Sequence, residues 1–365
     1  MKAQVEIVTD VERLKADWAR LYAVAPKNFF QSPCWFDAWC AMAGEYSNLI
    51  CIRIEDAAGA LLAMAVMGRR RRQPALGFRQ ARLCETGDEK LDRIYIEYND
   101  ILVADGAPGD VRRLALSVLV NAQPEIEEFV FRNARAPLVE AVRDVADANP
   151  SLALEVVRSE TIVSVDLGAG DWAALAPLSK SARAKVNRAR REYDARGATE
   201  LSLAQGEDER RAAWAALCDL HNKAWRARRQ SGALENTAVT SFMQAMMRDH
   251  PGNIDLYSLK AGSEFVGVLF NLVEGGVARN YQSGFRFEAD NRLAPGFLAH
   301  ALTAAEYQRR GFVEYDLLGG AADYKLRFGA PGETLTTLTL TRRGLKHSAR
   351  QVLKRLKRDA RTRQT

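Results

Sequence analysis

The sequence predicts an α/β (α+β) protein with mixed central sheets flanked by helices and a basic helix at its C-terminal end. Three observations carry this. Residues 253–318 read as three meandering strands, one helix and one returning strand. A weaker run of the same order lies within residues 49–131, and two related α/β units would explain a chain of 365 residues. Cations gather at the end: from Arg342 onward ten Lys and Arg stand against one Asp, so the tail carries +9 and the rest of the chain −3. A protein built to track nucleic acid would spread its basic surface over the folded body as well.

In the N-terminal half, Leu49–Ile54 and Leu61–Met67 flank a DAAG turn and predict a hairpin. Tyr95–Val103 reads as a later strand, Asp110–Asn121 as a helix and Ile126–Phe131 as a strand again. The stretch 171–249 is rich in helix formers. It holds "LSKSARAKVNRARREYDARG", which sets Ala182, Val186, Ala189 and Tyr193 on one helical face amid cations, and "AALCDLHNKAWRARRQSG", which ends in His221, Asn222, Trp225 and Arg226. Further on, Asn253–Leu259 and Phe265–Val273 are apolar β-rich runs, and Gly275-Gly276 signals a hairpin into Val277–Gly284. Pro295-Gly296 opens a helix with Leu298, Ala301, Leu302 and Ala305 at helical spacing; cations and Gly311 end it, and the strand Phe312–Leu318 follows. Residues 347–361 make a last helix with a thin apolar stripe at Val352 and Leu356. The expected organisation is an N-terminal unit at 1–160, a C-terminal unit at 161–342 with a helical insertion at 171–249, and a basic tail at 343–365.

A hydrophobic content of 47% with 27% charged residues is that of a soluble globular protein and excludes disordered and collagen-like classes. The longest nearly apolar run, Ala57–Gly68, is too short to span a bilayer. The start MKAQVEIVTD has charges where an export signal needs an apolar stretch, so the expected location is cytoplasmic. Five cysteines form no CxxC pair and four histidines form no ligand cluster, so neither a disulfide framework nor a metal site is expected. Cys218 and His221 lie three apart on a predicted helix, either as a thiol nucleophile with its base or as a small core Cys beside a half-exposed His.

Three strands, a helix and a strand put a helix N-terminus beside the end of the third strand, where free N–H groups favour an anion. A diphosphate could sit at Pro295-Gly296, although ordinary capping also places Pro and Gly there. The crossover lets the third and last strands splay, leaving a slot whose backbone groups at Asn280, Tyr281 and Gln282 could pair an extended cofactor arm or donate to an oxyanion.

Five stretches in order, "FFQSPCWFDAW", "LSKSARAKVNRARREYDARG", "LHNKAWRARRQSG", "YQSGFRFEADNRLAPGFL" and "YDLLGGAADYKLRFG", resemble the CelD-type, BioF-like branch of the GNAT acyltransferases. That branch is related to the Fem-type peptidoglycan aminoacyltransferases, which carry two GNAT-like units in tandem. The resemblance covers roughly residues 25 to 342 and implies an N-acyltransferase that moves an acyl group from acyl-CoA, acetyl-CoA for example, directly to an amine. The acceptor class it suggests is an amino sugar or a precursor of exopolysaccharide or cell-envelope synthesis.

The resemblance also implies roles. Lys325 matches the Lys of the Fem-type aromatic-Lys motif at the reaction centre, and Tyr324 lies where many GNAT enzymes protonate the departing thiolate. Asp316 would take a proton from the amine or orient Lys325. Gly296 resembles a glycine of the diphosphate turn, yet "RLAPGFL" puts Pro295 and Phe297 in two small-residue places. Lys180 and Arg183 match a recurrent "LSK-x-x-R" stretch and would contact acceptor or phosphate, Trp225 would wall the acceptor pocket, and Asp100 would face the cleft. Two rivals stand beside this reading. One is an aminoacyl-tRNA donor, with RNA on the basic helix and tail. The other is a non-catalytic module of a polysaccharide synthase complex, with the tail at an anionic membrane.

Overall fold

The computed structural model describes residues 1–44, 46–69, 77–290, 292–320 and 322–362. They divide into two compact units, Met1–Ser159 with Thr334–Thr365, and Glu160–Glu333. The chain begins with β1 (Lys2–Ile7), α1 (Val11–Ala23), α2 (Pro33–Ala43), β2 (Leu49–Glu55), β3 (Leu61–Arg69), β4 (Gln80–Leu83) and β5 (Leu102–Val103). Next come α3 (Val111–Ala122), β6 (Glu128–Ala134), α4 (Ala136–Asp147) and β7 (Leu152–Asp166), which runs through the boundary into the second unit. That unit continues with α5 (Lys180–Asp194), β8 (Thr199–Leu203), α6 (Glu207–Ala227), α7 (Thr237–Asp249), β9 (Ile254–Ala261), β10 (Glu264–Glu274), β11 (Val277–Phe285), α8 (Pro295–Arg309) and β12 (Glu314–Gly319). With β13 (Ala330–Arg342) and α9 (Leu345–Thr362) the chain returns to the first unit.

Local chemistry sets the ends of these elements. Asp10 accepts the Arg13 N–H at 2.9 Å to cap α1, Ser32 caps α2 ahead of Pro33, and Ser179 caps α5 through the Ala182 N–H at 3.2 Å. Gly275 and Gly276 adopt φ of 59° and 78°, the left-handed pair that a two-residue hairpin between β10 and β11 demands.

The two units repeat one topology. In the first, β2, β3 and β4 form an antiparallel meander, β1 borders β2, and β4 pairs in parallel with β6 across the crossover that contains α3. In the second, β9, β10 and β11 form the meander, β8 borders β9, and β11 pairs in parallel with β12 across α8. Each parallel ladder has three residue pairs, Gln80–Arg82 against Glu128–Val130 and Val277–Arg279 against Glu314–Asp316. Each parallel strand then bulges and meets an antiparallel neighbour: β6 meets β13, and β12 meets β7. The likeness anticipated between the runs within 49–131 and 253–318 thus extends to the irregularities.

Two sequence expectations need correction. Of the strand expected at Tyr95–Val103 only Leu102–Val103 is one; residues 95–100 run irregularly and make a single bridge, Asn99 to Ala134. The stretch 171–249 contains β8, whose Thr199–Leu203 pairs with Tyr257–Ala261, so part of it builds the sheet. As for the units, the sequence kept 161–342 together and 343–365 apart, whereas β13 pairs with β6 and brings Thr334–Thr365 into the first unit. Residues 363–365 of the tail lie outside the described residues. Among the described residues no helix is long and apolar enough to cross a membrane.

The second unit has a core on each face of its sheet. On one, Val186 and Tyr193 of α5 and Leu298 and Tyr307 of α8 pack with Tyr257, Leu269 and Tyr315. The next residue after Leu269, Phe270, points the other way by strand alternation and meets Trp214 of α6 at 6.2 Å between ring centres. α6 lies almost against the backbone of β11: a methyl group on Gly284 would come within 2.7 Å of Leu217 O and 3.0 Å of His221 N. Gly284→Ala therefore must push α6 off β11, and calorimetry should find a loss of about 2 kcal/mol, the usual range for overpacking a tight site. Gly252→Ala, where a methyl group meets open space, should stay within about 0.5 kcal/mol.

Candidate functional site

Beyond Arg279 and Asp316 the parallel ladder of the second unit ends, while β11 continues to Phe285 and β12 to Gly319. The two strands part, and the inferred slot is there. β11 carries an extra residue at this level, because Phe270 and Asn271 of β10 face Gln282 and Asn280, leaving Tyr281 in a bulge. Asn280 is fixed as the strand leaves the ladder: its Nδ2 donates to Asn271 Oδ1 at 2.9 Å and its Oδ1 accepts from Ser283 Oγ at 2.8 Å. Residues 280–283 remain half-exposed, so the mouth of the slot is accessible.

On the opposite lip, buried Asp316 accepts the Leu318 N–H on Oδ1 at 2.7 Å. That bond holds Leu318 at φ 61°, a left-handed conformation disfavoured for a branched side chain. The positive-φ residues of the turn are Leu318 and Gly320, at 85°. The turn swings two carbonyls onto the Lys325 ammonium, Leu318 O at 3.2 Å and Gly319 O at 2.6 Å. Asp316 thus shapes the turn that grips Lys325. Lys325 opens a 3₁₀ turn, Lys325–Arg327, and the preceding Tyr324 is 40% exposed, open enough to meet a ligand. Burial raises its phenol pKa, so Tyr324 keeps its proton at neutral pH.

Beneath Tyr324 lies a histidine that sequence analysis assigned no role. His300 of α8 is buried, its ring stacks with Tyr324 at 6.1 Å, and Phe285 and Phe328 flank it at 5.8 and 6.0 Å. Its Nδ1 is 2.9 Å from the Tyr315 hydroxyl, while Nε2 has no partner among the described residues. Burial, aided by the Lys325 ammonium, lowers its pKa to about 3. A spatial cluster drawn from α8, β12 and the following turn leaves no spacing signal in sequence.

α8 starts at the mouth of the slot. Pro295 is buried, and the first N–H to enter the helical ladder is that of Leu298, on Ala294 O at 3.1 Å, so the amides of Gly296 and Phe297 precede it. Gly296 packs against Phe285, whose ring a methyl group there would approach to 3.2 Å. Lys185 reaches this end, with the Arg327 charge near it. Lys185 Nζ sits 4.2 Å over the Phe297 ring, and both burial and the nearby Arg327 charge lower its pKa. Lys180 and Arg183 of the same helix have no ion-pair partner among the described residues; Lys180 is exposed and Arg183 half-buried. The 3.6-residue period of α5 selects Lys185, which helical spacing alone could not rank above its neighbours. Beside Arg327 and Phe328 opens a cavity of about 690 Å³, with Ser164, Asp166 and Glu314 on its floor and Trp172 on its wall.

Trp225 is half-buried, 5.9 Å from His221, which spends Nδ1 on Ser283 O at 3.0 Å. A carbonyl only accepts, so His221 Nδ1 carries the proton, and burial lowers the ring's pKa. The Cys218 thiol is pushed up to about 11 by burial, which makes it a poor nucleophile. Among the described residues no group of three or more His, Cys, Asp or Glu is placed to hold a metal ion.

The first unit answers the same splay differently. Past Arg82 and Val130 its parallel strands also part, and residues 96–100 fill the gap. Asn99 donates its N–H to Asn133 O at 3.0 Å and accepts the Arg135 N–H at 3.0 Å, while its Nδ2 donates to Leu83 O at 3.0 Å. Asn133, at φ 47°, donates from Nδ2 to Ile96 O at 2.8 Å. Asp100 belongs to this plug: both its oxygens bind Arg112 at 2.8 Å, and its main-chain O accepts from Gln31. Its role in the first unit is thus a buried ion pair. Leu83, Cys84 and Glu85 at the end of β4 are all buried, in contrast to 280–283 of β11.

A histidine held neutral in the folded state makes stability fall with acid: the unfolded chain takes up a proton below pH 6.5, and the folded chain resists until about pH 3. Stability tied to His300 is complete above pH 6.5 and declines from there toward pH 3, by at most about 1.4 kcal/mol per pH unit. The melting temperature of the His300→Gln variant should therefore fall less between pH 7 and pH 4.5 than that of the unmodified chain.

Residues 180–326, inside the second unit, match the family described as acetyltransferase (GNAT) domain. No curated protein matches the chain. Among solved structures, FemX superposes with a TM-score of 0.62 at 10% identity, covering 96% of this chain and 99% of FemX. L-PGS from Bacillus licheniformis gives a TM-score of 0.54 at 11% identity over 93% and 94% of the two chains. The C-terminal domain of a putative lysylphosphatidylglycerol synthetase from Agrobacterium fabrum gives 0.54 at 10% identity over 90% and 91%. At such identities the likeness is one of fold. Residues 180–326 thus match the acetyltransferase (GNAT) domain family, and the chain shares its fold with FemX.

Proposed function

We propose that the second unit is an N-acyltransferase that takes an acyl group from acyl-CoA, such as acetyl-CoA, and passes it directly to an amine. The observation that carries this reading is the splay of β11 from β12, with accessible backbone at 280–283 on one lip and Lys325 held at the other. In this reading the thioester arm lies along the slot and its carbonyl comes to the bulge at Tyr281, where backbone N–H groups and the Lys325 ammonium stabilise the developing oxyanion. The neutral amine nitrogen bonds to the acyl carbon, the C–S bond breaks, and Tyr324 gives its proton to the departing thiolate and regains one from the proton that the nitrogen releases. The donor's diphosphate lies at the first turn of α8 with Lys185 and Arg327, which take the place of the missing small residues at 295 and 297. The cavity floored by Asp166 and Glu314 suits a cationic amine acceptor, with an exopolysaccharide or cell-envelope precursor as its class. Lys180, Arg183 and Trp225 are then outer contacts for anionic groups carried elsewhere on that acceptor.

The Pro295 and Phe297 positions favour one second reading, an aminoacyl-tRNA donor, because they depart from the glycine pattern that cradles CoA phosphate. Differential scanning fluorimetry separates the two. A fitting acyl-CoA at about 100 times its Kd should add roughly 2.7 kcal/mol of stability. Lys185→Ala and Arg327→Ala should each weaken that donor about tenfold, the cost of a charged phosphate contact. Lys325→Ala should keep most of the ligand-induced shift and lose about 100-fold in kcat. No shift with any acyl-CoA, together with RNA binding that falls steeply with salt, would move the donor to aminoacyl-tRNA. Neither ligand would leave a non-catalytic module.

A further inference from the structure

α9 is attached to the first unit the wrong way round for an ordinary surface helix. Lys346 pairs with Glu127 at 3.0 Å, Arg350 with the buried Glu128, and Lys354 with Glu155; Arg350 also donates to Thr341 Oγ1 at 3.0 Å and lies 4.3 Å over the Phe78 ring. These contacts set the polar face of the helix against the protein. By the 3.6-residue period Leu345, Val352 and Leu356 turn away from those cations and Leu353 borders Lys346; the exposures of Leu345, Val352, Leu353 and Leu356 are 93%, 54%, 58% and 61%. A helix held only for solubility would turn those residues inward and its cations outward.

We infer that α9 is an interfacial helix that lays this apolar stripe into an anionic phospholipid surface. The choice of occupant follows from charge. The tail from Arg342 carries +9, so a second copy docked stripe to stripe would bring two strongly positive segments together. Anionic headgroups complement the same charge, and apolar residues flanked by Lys and Arg are the pattern of a helix lying in the membrane plane. Arg355, exposed and without an ion-pair partner among the described residues, borders the stripe. The inference is independent of the acyl donor, since it concerns the first unit and its tail.

Flotation of the full chain with vesicles tests it. The chain should float with vesicles of phosphatidylcholine and 30% phosphatidylglycerol, should stay down with phosphatidylcholine alone, and should release as salt rises. A variant with Leu345→Ser, Val352→Ser, Leu353→Ser and Leu356→Ser, all at exposed positions, should melt as the unmodified chain does and bind at least about tenfold more weakly. Equal flotation of this variant, or no flotation of the unmodified chain on anionic vesicles at low salt, would overturn the inference. So would a dimer in solution that the four substitutions dissociate.

Discussion

A parallel pair of strands that exchanges only three residue pairs leaves backbone donors and acceptors without a ladder, and everything near the site follows from how those groups are used. In the second unit β12 bends at Asp316, whose carboxylate holds Leu318 in a left-handed turn, and the exposed carbonyls are satisfied by Lys325. β11 bends at Tyr281, and Asn280 stitches the strand to Asn271. The cost of Leu318 in that conformation, about 1 kcal/mol or more, is the kind of local strain that persists where surrounding contacts over-determine it.

The first unit makes the same comparison from inside one molecule. It has the same strand order, the same three-pair parallel ladder and a bulge on the parallel strand with a residue at positive φ, Asn133. There the gap is closed by the chain's own residues 96–100, hydrogen-bonded to β6 and locked by the Asp100–Arg112 pair. A site and a filled site thus share one architecture. The difference lies in a connection between strand and helix that is longer in the first unit and folds back into the slot.

Much of the second unit was legible in the sequence because its strands are apolar β-rich runs, two of them joined at Gly275-Gly276, and its helix has a clear start and stop. The slot followed from connectivity. Its details did not: the left-handed Leu318 and the bulge at Tyr281 are fixed by tertiary pairing, and no local residue preference announces them. Tyr95–Val103 misled because buried, β-rich residues suit a plug as well as a strand. Lys180 and Arg183 stood out by resemblance, yet the helical period aims Lys185 at α8. His300 was hidden because its neighbours Phe285, Tyr315, Tyr324 and Phe328 come from β11, β12 and the turn after it, while the histidine itself is on α8. β8, at the edge of the sheet, and β13, between β6 and β7, were not read as strands in the sequence.

If the slot between β11 and β12 receives the donor, its backbone must be shielded when donor binds. Amide hydrogen exchange on the full chain, with and without the acyl-CoA that stabilises it, measures that directly. The predicted result is slowed exchange at residues 280–285, 296–298 and 318–325, with residues 96–100 of the first unit unchanged. Protection confined to the first unit, or no change along β11 while the ligand demonstrably binds, would contradict it.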